Sequence, residues 1–139
     1  MSRESTVAHV EKILRAYLET DELVRDEEGD VPIRRGSALY YVRVGRHEPY
    51  RVEVVSSVLS EVEESYELLR ALNEINAGIY GIQAYYRKGR VIFSADLLAE
   101  TLRAEELERA CALISGAADK YDDELQAKFG GKKTFEDGE

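Results

Sequence analysis

Apolar positions along this chain recur with two periods, and the switches between them mark out the elements. From Thr6 to Thr20, Val7, Val10, Ile13, Leu14, Tyr17 and Leu18 form one helical stripe, while Glu11, Lys12, Arg15 and Glu19 fall on the opposite side. Thr6 or Ser5 is the expected N-cap. Two short strands are expected around Leu23-Val24-Arg25 and Val31-Pro32-Ile33, joined by a turn at Glu28-Gly29-Asp30. Pro32 has no N–H to donate, so its strand belongs at a sheet edge or an irregularity. Ser37–Gly45 and Tyr50–Ser57 alternate with period two around a turn at Gly45–Pro49. Tyr40, Val42 and Val44 then share one face and Leu39, Tyr41 and Arg43 the other; likewise Tyr50, Val52 and Val54 oppose Arg51, Glu53 and Val55.

The helical period returns after Ser65, an N-cap candidate, with Leu68, Leu69, Leu72 and Ile75. Asn76 and Gly78 are read as its stop, in the left-handed conformation these residues enter cheaply. A hairpin follows, Ile79–Tyr86 and Arg90–Ala95, turning at Lys88-Gly89. Leu107, Ala110, Cys111, Ile114, Ala117, Ala118, Tyr121 and Leu125 define a last helix that Phe129-Gly130-Gly131 ends. The pattern predicts an α+β fold of order α-β-β-β-β-α-β-β-α, an antiparallel sheet with helices packed on it. Residues 1–131 are expected to form one domain, and the charged tail 132–139 to fray.

Composition narrows the choice of partner. A chain of 139 residues with 44% apolar content suits one domain that buries roughly two-thirds of its unfolded surface. The net charge of −9 argues against nucleic acid and against an anionic membrane. Cys111 is the sole cysteine, which excludes an intrachain disulfide and a cysteine-based zinc site. The opening MSRESTVAHVEKIL lacks a signal peptide's apolar run, and no stretch is long enough to span a bilayer; the cytoplasm is the expected compartment.

The sequence holds no candidate for catalytic or cofactor chemistry. The two histidines are His9, beside a helical stripe, and His47, in a turn next to Glu48; neither sits in an HExxH spacing. Asp21–Asp30 is dense in carboxylates, but twelve positions from Asp26 falls on Ser37, where a calcium loop needs glutamate. Gly130-Gly131-Lys132-Lys133-Thr134 follows a helix, and Gln126 stands where a phosphate loop needs its first glycine. No metal, no cofactor and no enzymatic activity are therefore expected. Arg34, Arg35, Arg43, Arg46, Arg51, Arg87, Lys88 and Arg90 make the strands more basic than the helices, so a small-molecule or anion sensor is the alternative reading.

The tyrosines carry more information. Tyr40-Tyr41 and Tyr85-Tyr86 are adjacent within strands, so each pair sends one ring to each side of the sheet. One ring enters the core; the other stands on the far face with Leu39, Val55 and Ile92, interleaved with Arg43, Arg51, Gln83 and Arg90. The candidate protein-interaction face is Leu39, Tyr41, Arg43, Val55, Tyr85 and Ile92, set against the alternative of an ordinary solvated sheet face.

The order of elements, with Leu72-Asn73 and Asn76, the hairpin after them, Ser94-Ala95-Asp96-Leu97 and the closing Phe129-Gly130-Gly131, resembles the YbjN-like domains and their relatives with the fold of class I type III secretion chaperones. The resemblance covers Val7 to Gly131. It implies a small acidic α+β domain, a homodimer, that binds segments of other polypeptides without catalysis.

Overall fold

A computed structural model describes residues 2–135. The order is α1 (Arg3–Leu18), β1 (Val31–Arg35), β2 (Ala38–Val44), β3 (Arg51–Leu59), α2 (Tyr66–Gly78), β4 (Gln83–Arg87), β5 (Arg90–Leu98), a short 3-10 turn (Ala99–Thr101) and α3 (Ala104–Phe129). All strands pair antiparallel in the spatial order β1-β2-β3-β5-β4. The α+β antiparallel architecture expected from the pattern is the one found, with one strand fewer.

Helix α1 starts earlier than its stripe suggested. Ser2 is the N-cap, and its side chain and that of Ser5 reciprocally satisfy each other's backbone N–H groups. Ser5 is thus the third helical residue, and Thr6 is buried with its hydroxyl on the Ser2 carbonyl at 2.9 Å. The strand expected at Leu23-Val24-Arg25 does not form. A strand needs a partner ladder, and here Val24 is exposed while Arg25 pairs with Glu11 on α1. The next residues close a loop on themselves: Asp26 N–H donates to the Asp30 carbonyl at 2.9 Å, and Asp26 Oδ1 accepts from the N–H groups of Glu28 and Asp30.

The alternation in β2 and β3 sorts as read. Ala38, Tyr40, Val42, Val52, Val54, Ser56 and Val58 are buried, and the residues between them are not. A bulge between Ser57 and Leu59 lets both Val58 and Leu59 be buried at the end of β3. Helix α3 lies along β2, β3 and β5, α1 packs on α3 and β2, and α2 packs on β4. All three supply the same side: Leu14, Leu68, Leu107 and Ile114 meet Val52, Val54, Val91 and Phe93 in one core cluster. Tyr121 abuts Phe93 edge-on, ring centres 6.2 Å apart at 79°. No helix among the described residues is long and apolar enough to cross a membrane.

Helix α2 does have Ser65 as its cap, accepting from Leu68 N–H at 3.1 Å. Its end differs from expectation. Asn76 stays helical, Ile79 is extended rather than left-handed, and Gly81 supplies the positive φ instead. Consequently β4 begins at Gln83 rather than Ile79. The hairpin turn is as expected: Lys88 and Gly89 both have positive φ, as a two-residue turn of this hand requires. The stretch Lys132–Phe135, expected to fray, is instead held. Lys132 pairs with Ser60 through two backbone hydrogen bonds, and the buried Lys133 ammonium meets Asp123. The remainder of the expected tail, 136–139, lies outside the described residues.

Candidate functional site

With all three helices on one side, the other side of the sheet carries no helix among the described residues, and the register arranges its residues in rows. Pro32, Tyr41, Val55, Ser94 and Gln83 stand in one row across the five strands. The neighbouring row runs through Arg34 and Leu39 on β1–β2, then Ser57, Ile92 and Tyr85 on β3–β5–β4. Two polar rows flank these. Arg43, Glu53 and Asp96 face one another on one flank, and Arg90 and Arg87 on the other.

All six residues of the candidate face, Leu39, Tyr41, Arg43, Val55, Tyr85 and Ile92, lie on this open side, and each is half-buried by its neighbours. Tyr41 is directly opposite Val55, and Tyr85 directly opposite Ile92, the cross-strand distance at which apolar side chains touch. The partner rings of the two pairs go the other way. Tyr40 is in the core against Cys111, and burial drives its phenol well above the usual range; burial likewise pushes the Cys111 thiol up to about 12. Tyr86 donates its hydroxyl to the Val62 carbonyl at 2.9 Å.

Arg43 differs from the other five. Its guanidinium lies 3.3 Å from Asp30 and 3.5 Å from Glu53, so it is already held by this chain's own carboxylates. Burial pushes Asp30 and Glu53 above the ordinary carboxylate range, although Arg43 pulls both down. On the opposite flank Arg87 and Arg90 are directly across from each other, and Arg90 donates to the Ser57 hydroxyl at 3.0 Å. Among the described residues, Arg51, Arg87 and Arg90 have no carboxylate within ion-pair distance.

The strand arginines do not converge on one anion pocket. Arg35 reaches round to the helix side and donates to Ser115 at 2.9 Å, Arg43 is ion-paired, and Arg46 leans on the Glu28 carbonyl. Among the described residues, Arg35, Arg43 and Arg46 are thus each engaged elsewhere, and the sensor alternative gains no support from them. Sequence reading missed Leu98, an exposed apolar residue opposite Arg51, because β5 was expected to end at Ala95. The alternation through Asp96-Leu97-Leu98 was the available signal.

The sheet edges are β1 and β4, and both are blunted. Pro32 takes one donor from β1. On β4 the Asn76 side chain acts as a short surrogate strand: its Oδ1 accepts from Ala84 N–H at 2.7 Å, and its Nδ2 donates to the Ala84 carbonyl at 2.9 Å. Other large apolar residues are exposed on and beside α2. Tyr66 and Leu69 on α2, and Tyr80 just past it, are 71%, 43% and 95% exposed.

Comparison with known proteins agrees with this architecture. The family model described as "T3SS (YopN, CesT) and YbjN peptide-binding chaperone 1" matches residues 4–137. No curated protein matches this chain. Among solved structures, the chain is similar to the ExsC–ExsE complex (17% identity, 84% of this chain and 93% of that one covered, TM-score 0.64). It is also similar to the HopA1–SchA chaperone–effector complex (14%, 86% and 97%, TM-score 0.66) and to YbjN from E. coli (13%, 87% and 94%, TM-score 0.52). At these identities the likeness is one of fold, and the family match extends over nearly the whole sequence. The chain belongs to the family of type III secretion and YbjN peptide-binding chaperones.

Proposed function

We propose that this chain is a non-enzymatic chaperone-like module of the cytoplasm that holds a segment of a partner polypeptide against the open face of its sheet. The observation that carries this is the two adjoining rows Tyr41–Val55 and Leu39–Ile92–Tyr85, half-apolar, aromatic, and free of any covering helix among the described residues. Because Asn76 caps one edge and Pro32 weakens the other, side chains anchored on the face dominate over strand addition. Arg43 orders the face through its ion pairs, while the other five residues provide contact area. The acidic flank and the arginine flank would set the direction in which a segment lies.

A photo-crosslinking amino acid placed in turn at Tyr41, at Tyr85, and at the exposed Arg70 of α2 tests this on purified complexes. Adducts with a co-purified polypeptide are expected from the first two positions only. Crosslinks from Arg70 alone would move the site off the sheet.

Self-association is part of the reading. Tyr66, Leu69 and Tyr80 are large apolar residues left exposed on and just after α2, and a second copy of this chain is the occupant proposed for them. Sedimentation equilibrium should show a dimer that Tyr66→Glu with Leu69→Glu converts to monomer. A monomer at high concentration before any substitution would end this part of the proposal.

A further inference from the structure

Along β5 the open face passes from negative to positive. The residues of this strand that point to it are, in order, Asp96, Ser94, Ile92 and Arg90. Asp96 stands opposite Glu53 on β3, and Arg90 opposite Arg87 on β4. Arg43 is divided between Asp30 and Glu53, so one guanidinium serves two carboxylates. Asp96 is exposed and, among the described residues, has no cation within ion-pair distance; Arg51, the next open-side residue along β3, is outside that distance from both Glu53 and Asp96. At the other end Arg87 and Arg90 face each other, and like charges directly across a strand pair repel. The side-chain hydrogen bond of Arg90 goes to the neutral Ser57 hydroxyl. Between the two ends lie Val55 opposite Ser94 and Tyr85 opposite Ile92. Arg90 is six positions before Asp96, about 20 Å of extended chain. Same-face side chains of an extended segment recur every ~6.8 Å, the spacing of β5 itself, whereas a helix repeats every ~5.4 Å and falls out of step.

We propose that the partner segment is extended and lies along β5, with a basic residue over Glu53 and Asp96 and, six positions away, an acidic residue over Arg87 and Arg90. Two apolar residues between them, two and four positions from the basic one, rest on Ser94 beside Val55 and on Ile92 beside Tyr85. The inference rests on the open-face reading above and adds to it the partner's charge pattern and spacing. Each end of such a segment neutralises charge that this chain leaves unpaired, and the wrong sign at either end is repelled. Side chains rather than ladder bonds make the contacts, so the two end charges and their separation define the pattern in either chain direction.

The test titrates four acetylated, amidated heptapeptides into the full chain and follows the amide NMR signals of Tyr41, Tyr85 and Ile92. The first is Lys-Ser-Leu-Ser-Leu-Ser-Glu; the second and third carry Lys at both ends or Glu at both ends. The fourth, Lys-Ser-Leu-Ser-Glu-Ser-Leu, keeps the composition of the first but brings its charges two positions closer. The unaltered chain should bind the first peptide about five-fold more tightly than the other three. Asp96→Lys should transfer the preference to the peptide with Glu at both ends, and Arg87→Glu with Arg90→Glu to the one with Lys at both ends. Thermal melts check that these exposed substitutions leave the fold intact, and the peptide comparison on the unaltered chain stands without them. Equal affinity for the first three peptides, with shifts at Tyr85 and Ile92, would overturn the charge pattern and leave the open-face reading standing. Equal affinity for the first and fourth would overturn the match to β5. A preference for the first peptide that survives both sets of substitutions would overturn the assignment of the two ends. No shift at these amides with any peptide at millimolar concentration would overturn the open-face reading, and the pattern with it.

Discussion

Asn76 ties the end of α2 to the edge of the sheet, and its removal has a calculable effect. The side-chain amide makes two hydrogen bonds, 2.7 and 2.9 Å, to the N–H and carbonyl of one residue, Ala84. A typical intramolecular hydrogen bond contributes a net ~0.5–1.5 kcal/mol, so the pair contributes about 1–3 kcal/mol. Asn76 is exposed, so water can replace its bonds when it is cut back, which places the loss at the low end. Alanine is also the better helix former by about 0.5 kcal/mol and offsets part of the loss. Asn76→Ala should therefore cost about 0.5–1 kcal/mol, a fall in Tm of roughly 2–4 °C for a chain of this size.

The sharper readout is local. The Ala84 N–H points away from β5 and owes its protection to Asn76, so its hydrogen exchange should accelerate at least about ten-fold in Asn76→Ala. The Tyr85 amide, on the β5 side of the ladder, should keep its protection. Asn76→Asp retains the acceptor but sets a carboxylate against the Ala84 carbonyl, so it should protect Ala84 N–H while still lowering stability. Unchanged Ala84 exchange in Asn76→Ala would refute the edge-capping argument. Loss of protection across the whole hairpin would show that Asn76 holds the fold and not the edge. With the edge uncovered, Asn76→Ala should also aggregate more readily by strand pairing.

Three further outcomes follow from buried groups and one close approach. Ser37 has one hydroxyl proton but lies 2.7 Å from Asp119 and 2.5 Å from Asp122. The hydroxyl donates toward both carboxylates; it holds Asp119 below the ordinary carboxylate range, whereas burial raises Asp122 although the Ser37 hydroxyl and the Asp123 N–H, from which it accepts, pull it down. With the folded pKa of Asp122 above its unfolded value, stability from this group is lost as pH rises from about 4 through the folded pKa. Asp122→Asn removes this titration, so urea melts across pH should show a flatter fall than the unaltered chain; an identical slope would count against the assignment. Gly131 has φ +85°, and a Cβ there would lie 2.8 Å from the Ser60 carbonyl oxygen. Gly131→Ala should break the Ser60–Lys132 pairing and cost about 1–3 kcal/mol, read by denaturant unfolding. Cys111 is fully buried with its thiol pushed up to about 12, so it should resist a disulfide reagent at pH 8 until urea unfolds the chain; prompt labelling of the folded protein would refute the burial.

Local rules made much of this protein legible from its sequence. Period-two alternation fixed which of Tyr40 and Tyr41 enters the core, because successive side chains on a strand cannot share a face. Ser65 as a cap, the Lys88-Gly89 turn and the stop after Phe129 are likewise decided by neighbours within a few residues. What failed depended on distant partners. Leu23-Val24-Arg25 has the composition of a strand, but Arg25 is drawn to Glu11 and the residues lack a ladder to join. Lys132–Phe135 reads as a loose tail, yet Ser60, Asp123 and Arg34, far away in the chain, hold it. Asn76 reads as a helix stop and works instead as an edge cap, since its role is set by where Ala84 arrives. The sequence alone determined which residues alternate and where the chain turns. Only the tertiary structure, by placing all three helices on one side, decided that Tyr41 and Tyr85 share an open face, because strand order and register are set by contacts between segments that no local period encodes.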